Sequence, residues 1–167
     1  REHSFPGSWF NDNSPMYTDL FHLYPTDGYV NGIRSNHAFG ETDNPTYTSQ
    51  NGSKRGPSSY PGYSGTVFEP IDEFKGDFAR SYFYMATRYY SIFDSFSSPM
   101  QTGDNFSVWA IDMFIEWHQN DPVSQKEIDR NEEIYLIQGN RNPYIDHPEW
   151  VCTVFGCDVI TDNDSEI

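Results

Sequence analysis

The second part of the chain carries apolar residues at the three-to-four-residue spacing of amphipathic helices. The clearest stripe consists of Phe74, Phe78, Tyr82 and Met85. The pattern predicts helices over residues 70–97, 105–118 and 122–138. Pro122 suits the first turn of the third helix and Gly139 suits its C-terminal cap, because proline is tolerated at helix starts and glycine adopts the left-handed backbone after helix ends.

The first part is broken by turn residues and predicts less regular structure. Residues 1–24 are expected to form short extended pieces and loops. A weak helix is expected within residues 25–36, with Thr26 as a candidate N-cap and Asp27 in the first turn. A long loop or a small hairpin is predicted for residues 37–66, and a turn-rich closing segment for residues 140–151.

Composition adds the nature of the core. The chain has 167 residues, of which 36% are hydrophobic and 17% aromatic. This length suits one ordinary domain, and the high aromatic share predicts a core built on Tyr, Phe and Trp. No apolar run approaches the ~18 residues of a membrane span, and aromatics spread along the whole chain argue against wholesale disorder.

Charge changes the expected partners. With 25 acidic and 10 basic residues the formal net charge is −15, which argues against nucleic acid by the usual electrostatic expectation. The acid is uneven, however, because residues 1–60 hold four basic and six acidic residues. The nearly neutral first part can therefore still present a local phosphate-binding face.

The two cysteines, Cys152 and Cys157, are five positions apart and cannot make a four-ligand zinc site alone. A local disulfide is favoured if the protein is exported, and a reduced pair is the alternative.

Two short runs in the first part could carry chemistry. In Arg1-Glu2-His3, an adjacent carboxylate and imidazole can divide the roles of metal ligand and general base, since neighbouring residues on a strand point to opposite sides. Asn31 follows a His-containing apolar segment, and its amide oxygen can bind a hard cation. The structural alternatives are an exposed acid–imidazole pair for the first run and a helix cap with a turn for the second.

A third polar stretch, residues 117–148, is dense in amides beside Gly and Pro. Such a stretch needs many internal hydrogen bonds, so a structural corner is its favoured interpretation.

Six segments in order carry a joint signal: 1–3 (REH), 19–23 (DLFHL), 28–36 (GYVNGIRSN), 68–70 (FEP), 75–85 (KGDFARSYFYM) and 138–143 (QGNRNP). Together they resemble the bacterial endonuclease I family of periplasmic and secreted non-specific nucleases. The resemblance implies an α+β fold, in which a mostly helical scaffold carries a small ββα-metal active-site motif of the His-Me finger type.

The resemblance also assigns roles at the reaction centre. Glu2 and Asn31 are expected to bind one Mg²⁺, for which Ca²⁺ or Mn²⁺ can substitute, and His3 is expected to be the general base. Phe21 stands where the family's Asp-Leu-His-(His or Asn) stretch has its first His, and His22 is expected as a supporting residue.

Cations near these motifs are the candidate supporting or phosphate-binding residues: Arg34, Arg80 and Arg141. Lys54 and Arg55, on the predicted loop, are further candidate phosphate contacts. For Arg80, an ion pair with an acid such as Asp77 within its own helix is the structural alternative, and it is favoured.

The implied function is a sequence-non-specific endonuclease that acts on DNA, with RNA as a further candidate substrate, and leaves 5′-phosphate ends. We expect a bacterial, secreted or periplasmic monomer with no membrane partner. Residues 1–157 are expected to form a single nuclease domain, preceded by a missing segment, and residues 158–167 an acidic C-terminal tail.

Two other functions stay open. An aromatic-rich, turn-rich surface is also typical of a non-catalytic extracellular binding module. A different metal hydrolase could gather zinc ligands from the third stretch, although their spacing fits no standard zinc pattern: Glu116, His118, Asp121 and His147.

Overall fold

The chain begins with a ββα unit. In this computed structural model, which describes residues 1–157, strand β1 (Glu2–His3) pairs antiparallel with β2 (Leu23–Tyr24), and helix α1 (Gly28–Arg34) follows. The intervening segment lies in the short 3-10 turns Gly7–Phe10, Met16–Thr18 and Leu20–His22. The predicted acidic tail lies outside the described residues.

Helix α1 is capped differently from the sequence prediction. Asp27, not Thr26, is the N-cap, and its carboxylate accepts hydrogen bonds from the backbone N–H groups of Tyr29 and Val30. A carboxylate at this position satisfies free amides and faces the positive end of the helix dipole.

A four-stranded sheet occupies the region predicted as a loop or small hairpin. Its strands are β3 (Ala38–Phe39), β4 (Tyr47–Thr48), β5 (Lys54–Pro57) and β6 (Thr66–Glu69), in the spatial order β3-β6-β5-β4. Two consecutive antiparallel pairings join β4 to β5 and β5 to β6, and β3 adds in parallel to β6. The hairpin part of the prediction is thus extended to a sheet.

The predicted helices form with shifted ends. They are α2 (Lys75–Arg88), α3 (Val108–Asn120) and α4 (Gln125–Gln138). The short α5 (Pro143–Asp146) lies in the segment that was predicted to be turn-rich. A small ladder of β7 (Gln101–Thr102) and β8 (Asn105–Phe106) precedes α3. Further turns are the 3-10 segments Asp72–Phe74 and Tyr90–Ser95 and the π-helical segment Cys152–Gly156.

Capping explains the ends of α4. Ser124 and Glu127 form a capping box, so α4 begins at Gln125 and Pro122 lies before it rather than in its first turn. Gly139 adopts φ 81° as the C-terminal cap, which confirms that prediction.

The core is aromatic, as the composition predicts. Fully buried Tyr82 on α2 lies with its ring centroid 4.8 Å from Phe114, 5.2 Å from Phe5 and 5.4 Å from Phe39. These contacts join the N-terminal segment, β3, α2 and α3 into one core. The α+β class is confirmed, and none of the helices within residues 1–157 is long and apolar enough to cross a membrane.

A buried ion pair ties α2 to α4. Arg80 is 0% exposed, and its Nε and Nη2 donate to the two carboxylate oxygens of Glu127 at 2.6 and 2.8 Å. Nη1 also donates to the backbone carbonyl of Asp121 at 2.8 Å. Asp77, the partner favoured from the sequence, also pairs with Arg80 but lies further away, with its Oδ1 3.8 Å from Nη2, so Glu127 is the main counter-charge.

Glu127→Gln should lower the free energy of unfolding by about 3–5 kcal/mol, because the buried Arg80 guanidinium loses its main counter-charge. Glu132→Gln is the matched control, since it removes an exposed partner of Arg141 and should lower stability by less than about 1 kcal/mol. Urea denaturation of both variants measures the difference. Equal small losses would show that the buried pair does not tie the helices together.

Candidate active site

Arg34 assembles the ββα unit. It is 1% exposed at the end of α1, and its Nη1 lies 2.9 Å from the His3 carbonyl, to which it donates, and 3.3 Å from Glu2 Oε1. Nη2 donates to the Ser4 carbonyl and to the Tyr82 hydroxyl. One buried guanidinium thus holds β1 against α1 and against the core.

Glu2 faces inward from β1. Its side chain is nearly buried, and burial raises the pKa of the carboxyl, while Arg34 and the hydroxyl of Thr26 oppose that rise. A buried carboxylate with a single cationic partner gains from a further positive charge. Glu2 is therefore suited to bind a divalent cation.

Asn31 lies on α1 three residues before Arg34. Residues at this spacing are neighbours on one helix face, so Asn31 shares the face by which Arg34 is tied to β1. Its side chain is half-buried and forms no hydrogen bond with any residue in the range 1–157. The amide oxygen is free to bind a ligand from outside the protein.

The orientation of His3 is set by a backbone carbonyl. Its Nε2 lies 3.0 Å from the Tyr17 carbonyl oxygen, which can only accept, so Nε2 carries the proton. The ring also stacks on Tyr17, with centroids 4.8 Å apart. The lone pair is then on Nδ1, which has no hydrogen-bond partner among the described residues and can accept a proton from a water.

His22 supports the same turn. It is fully buried, and its Nε2 donates to the Met16 carbonyl at 2.7 Å. Its ring centroid is 5.3 Å from that of His3. Because Met16 and Tyr17 are adjacent, the two imidazoles are held by consecutive carbonyls of one 3-10 turn.

Phe21 belongs to the hydrophobic core and not to the candidate site. It is buried in the core, with its ring centroid 4.6 Å from that of Tyr84. The aromatic side chain at this position therefore contributes to packing.

The three arginines expected at phosphate are already occupied. Arg34 and Arg80 are buried in the ion pairs described above, so they serve as structural clamps rather than phosphate contacts. Arg141 is partly exposed but donates to Glu132 at 2.6 Å and to Asp146 at 2.7 and 2.9 Å, and these bonds raise its pKa. Each guanidinium has its charge satisfied by the protein's own carboxylates.

The zinc alternative finds no geometric support. His118 Nδ1 accepts from Arg80 Nη1 at 3.2 Å, Glu116 accepts from the Tyr60 hydroxyl, and His147 stacks on Trp150. Across residues 1–157, no three His, Cys, Asp or Glu side chains converge as a metal site. A magnesium site needs fewer protein ligands, because Mg²⁺ commonly keeps several waters and uses one or two protein oxygens. Glu2 with Asn31 fits that donor set.

Sequence reasoning missed Tyr17 and the position of Thr26. The contribution of Tyr17 to His3 is a backbone carbonyl, which any residue type supplies, so no residue pattern could reveal it. Thr26 looks like a helix cap in the sequence, yet its side chain hydrogen-bonds to Glu2 and lowers the pKa of that carboxyl.

The two cysteines meet at the end of the described chain. Cys152 and Cys157 are joined by a disulfide that closes the π-helical segment.

The pH dependence of stability should report the burial of His22. Burial lowers its pKa to about 4, below the usual 6.5, so the unfolded chain binds the proton more tightly. The contribution of this group is complete above the unfolded pKa and is lost as the pH falls toward the folded one, by up to roughly 3 kcal/mol. His22→Gln lacks the titrating group, so its stability should fall less steeply between pH 7 and pH 4.5 in urea denaturation. Parallel pH profiles for the two proteins would contradict this assignment.

Comparison with known proteins shows which family the chain is similar to. The family model for Endonuclease I matches residues 1–149. An extracellular ribonuclease of Bacillus amyloliquefaciens is 41% identical over 80% of this chain and 45% of its own length. An extracellular ribonuclease of Bacillus subtilis is 38% identical over 90% of the chain and 51% of its own length.

Relatives named for DNA also match. A periplasmic deoxyribonuclease of Aeromonas hydrophila is 28% identical over 78% of the chain and 48% of its own length. The chain therefore spans about half the length of the curated relatives it matches.

Proposed function

The chain belongs to the endonuclease I family, and on that premise we propose that it is a Mg²⁺-dependent endonuclease that hydrolyses DNA and RNA without reading bases and leaves 5′-phosphate ends. The observation that carries the proposal is the ββα unit. It presents a buried carboxylate at Glu2, a free amide at Asn31, and an imidazole at His3 whose Nδ1 is kept open by the Tyr17 carbonyl.

The reaction needs a base and charge compensation. His3 Nδ1 takes a proton from the attacking water, and the Tyr17 carbonyl, already bonded to Nε2–H, stabilises the imidazolium that results. Arg34 holds the Glu2 side chain and the His3 backbone in a fixed position relative to α1. Bound by Glu2 and Asn31, Mg²⁺ would supply Lewis-acid stabilisation of the charge on the phosphate and the leaving oxygen.

The nucleophile determines whether the reaction requires ribose. When water attacks phosphorus, the 2′-hydroxyl takes no part, so the chemistry permits cleavage of both ribose and deoxyribose strands. This agrees with relatives that are named ribonucleases and others that are named deoxyribonucleases. Contacts to phosphate without base readout account for the lack of sequence preference.

The proposed location is outside the cytoplasm. Matching relatives are named extracellular or periplasmic. The Cys152–Cys157 disulfide suits an oxidising compartment.

His3→Ala should lower kcat by roughly 10²–10⁴-fold, since general base catalysis contributes about that factor. His147→Ala is the matched control, because His147 is an exposed imidazole that stacks on Trp150. Plasmid nicking with Mg²⁺, beside a chelator control, measures both variants. Full activity in His3→Ala would remove the proposed base.

The product ends distinguish water from the 2′-hydroxyl as nucleophile. We expect 5′-phosphate and 3′-hydroxyl ends on both DNA and RNA fragments, which can be checked by end-labelling before and after phosphatase treatment. A 2′,3′-cyclic phosphate on RNA with no cleavage of DNA would overturn the proposed mechanism.

A further inference from the structure

A strongly acidic protein that binds a polyanion needs some cationic side chains that are not paired with its own carboxylates. Within residues 1–157, six of the cationic side chains form ion pairs with carboxylates: Arg34, Lys54, Lys75, Arg80, Lys126 and Arg141. Arg130 donates to the backbone carbonyls of Leu20 and Leu23. Arg1, Arg55 and Arg88 have no acidic partner in this part of the chain, so their charges are free to contact phosphate.

Arg55 stands beside an aromatic pair. On β5 it lies directly opposite Tyr47 of β4 in the antiparallel ladder. Side chains at directly opposed positions project from the same face with Cβ atoms about 4.5–5.5 Å apart. Arg55 therefore lies on the same face of the sheet as Tyr47, beside the groove that Tyr47 lines, and has no carboxylate partner among the described residues.

Tyr29 completes the pair from α1. It is 69% exposed, and its ring centroid lies 6.2 Å from that of Tyr47, with the ring planes at 62°. The two rings line a groove of about 620 Å³, together with the carboxylate of Asp27 and the polar side chains of Ser49, Gln50 and Asn51. Aromatic faces and amides in one groove match the faces and edges of nucleobases.

The groove lies within reach of the reaction centre. Thr26 lines it and also acts on Glu2, and Tyr29 is two residues before Asn31 on α1. That spacing places Tyr29 and Asn31 on opposite flanks of the same helix. A strand that leaves the groove past Thr26, at the start of α1, would reach the side of the helix that faces Glu2.

Charge argues against the other wide groove. A groove of about 1030 Å³ is lined by four carboxylates that would repel phosphate: Glu41, Asp43, Asp112 and Glu116. The groove beside Tyr29 is lined by one carboxylate, Asp27, whose Oδ1 accepts hydrogen bonds from the first amides of α1. A phosphodiester strand therefore gains more from the side of α1 that carries Tyr29 and Arg55.

We infer that the groove between α1 and β4 is a nucleotide subsite, in which Tyr29 and Tyr47 stack a base flanking the scissile phosphate while Arg55 contacts a backbone phosphate. The ligand class is an unpaired nucleotide of a single-stranded or locally opened substrate, because stacking requires a free base face. This inference rests on the proposed function, and it adds where the substrate strand runs.

Binding of a fluorescent oligothymidylate in the His3→Ala background tests the subsite without cleavage. Tyr29→Ala should weaken binding roughly tenfold, Tyr29→Phe should retain it, and neither should change the salt dependence. Arg55→Gln should weaken binding and reduce the slope of log affinity against log salt by about one. Tyr90→Ala is the matched control, because Tyr90 is 66% exposed on a different element.

The outcomes separate this subsite from the reaction centre. If Tyr29→Ala and Tyr90→Ala both bind as tightly as the parent, the subsite is overturned. Hydrolysis of bis(p-nitrophenyl) phosphate by the unmodified protein with Mg²⁺ tests the reaction centre alone, since this small diester has no neighbouring nucleotide. If the unmodified protein does not hydrolyse this diester, the proposed function is overturned. The oligonucleotide binding isotherms would still show whether the groove binds nucleotides.

Discussion

The buried guanidinium of Arg34 is the interaction on which the candidate site depends. Strand β1 has only two residues and pairs with an equally short β2, so its ladder alone cannot fix the position of Glu2 and His3. Arg34 binds the carboxylate of Glu2 and the carbonyls of the next two residues, and it reaches the core through Tyr82. A charge that would be unfavourable in the interior is paired with Glu2 and hydrogen-bonded through both terminal nitrogens, and it thereby joins strand, helix and core.

Internal ion pairs such as that of Arg34 also limit the number of cations that are free to bind a ligand. In a chain with net charge −15, most basic side chains are consumed by internal ion pairs. Arg34 and Arg80 stabilise the fold at the expense of attraction for phosphate. On the proposed function, affinity for a nucleic acid would come from a few unpaired cations, from stacking and from divalent cations, so binding is expected to weaken steeply with salt.

The sequence predicted elements whose signal is local. The stripe along α2 and the glycine after α4 depend on residues a few positions apart, and both were confirmed. The sheet was missed because β3 and β4 have two residues each, too few to show alternation. Arg34 looked like a phosphate contact because nothing local reveals that its partner is Glu2. The placement of Glu2, His3 and Asn31 in one ββα unit followed from the family resemblance rather than from spacing.

Paramagnetic broadening by Mn²⁺ tests the proposed metal site most directly. In NMR spectra of the labelled protein, substoichiometric Mn²⁺ should first broaden the side-chain amide of Asn31 and the imidazole of His3, and Mg²⁺ should reverse the effect. Glu2→Gln should weaken this response. Broadening centred on the acidic groove around Asp112 and Glu116, with the Asn31 and His3 signals unchanged, would contradict the account.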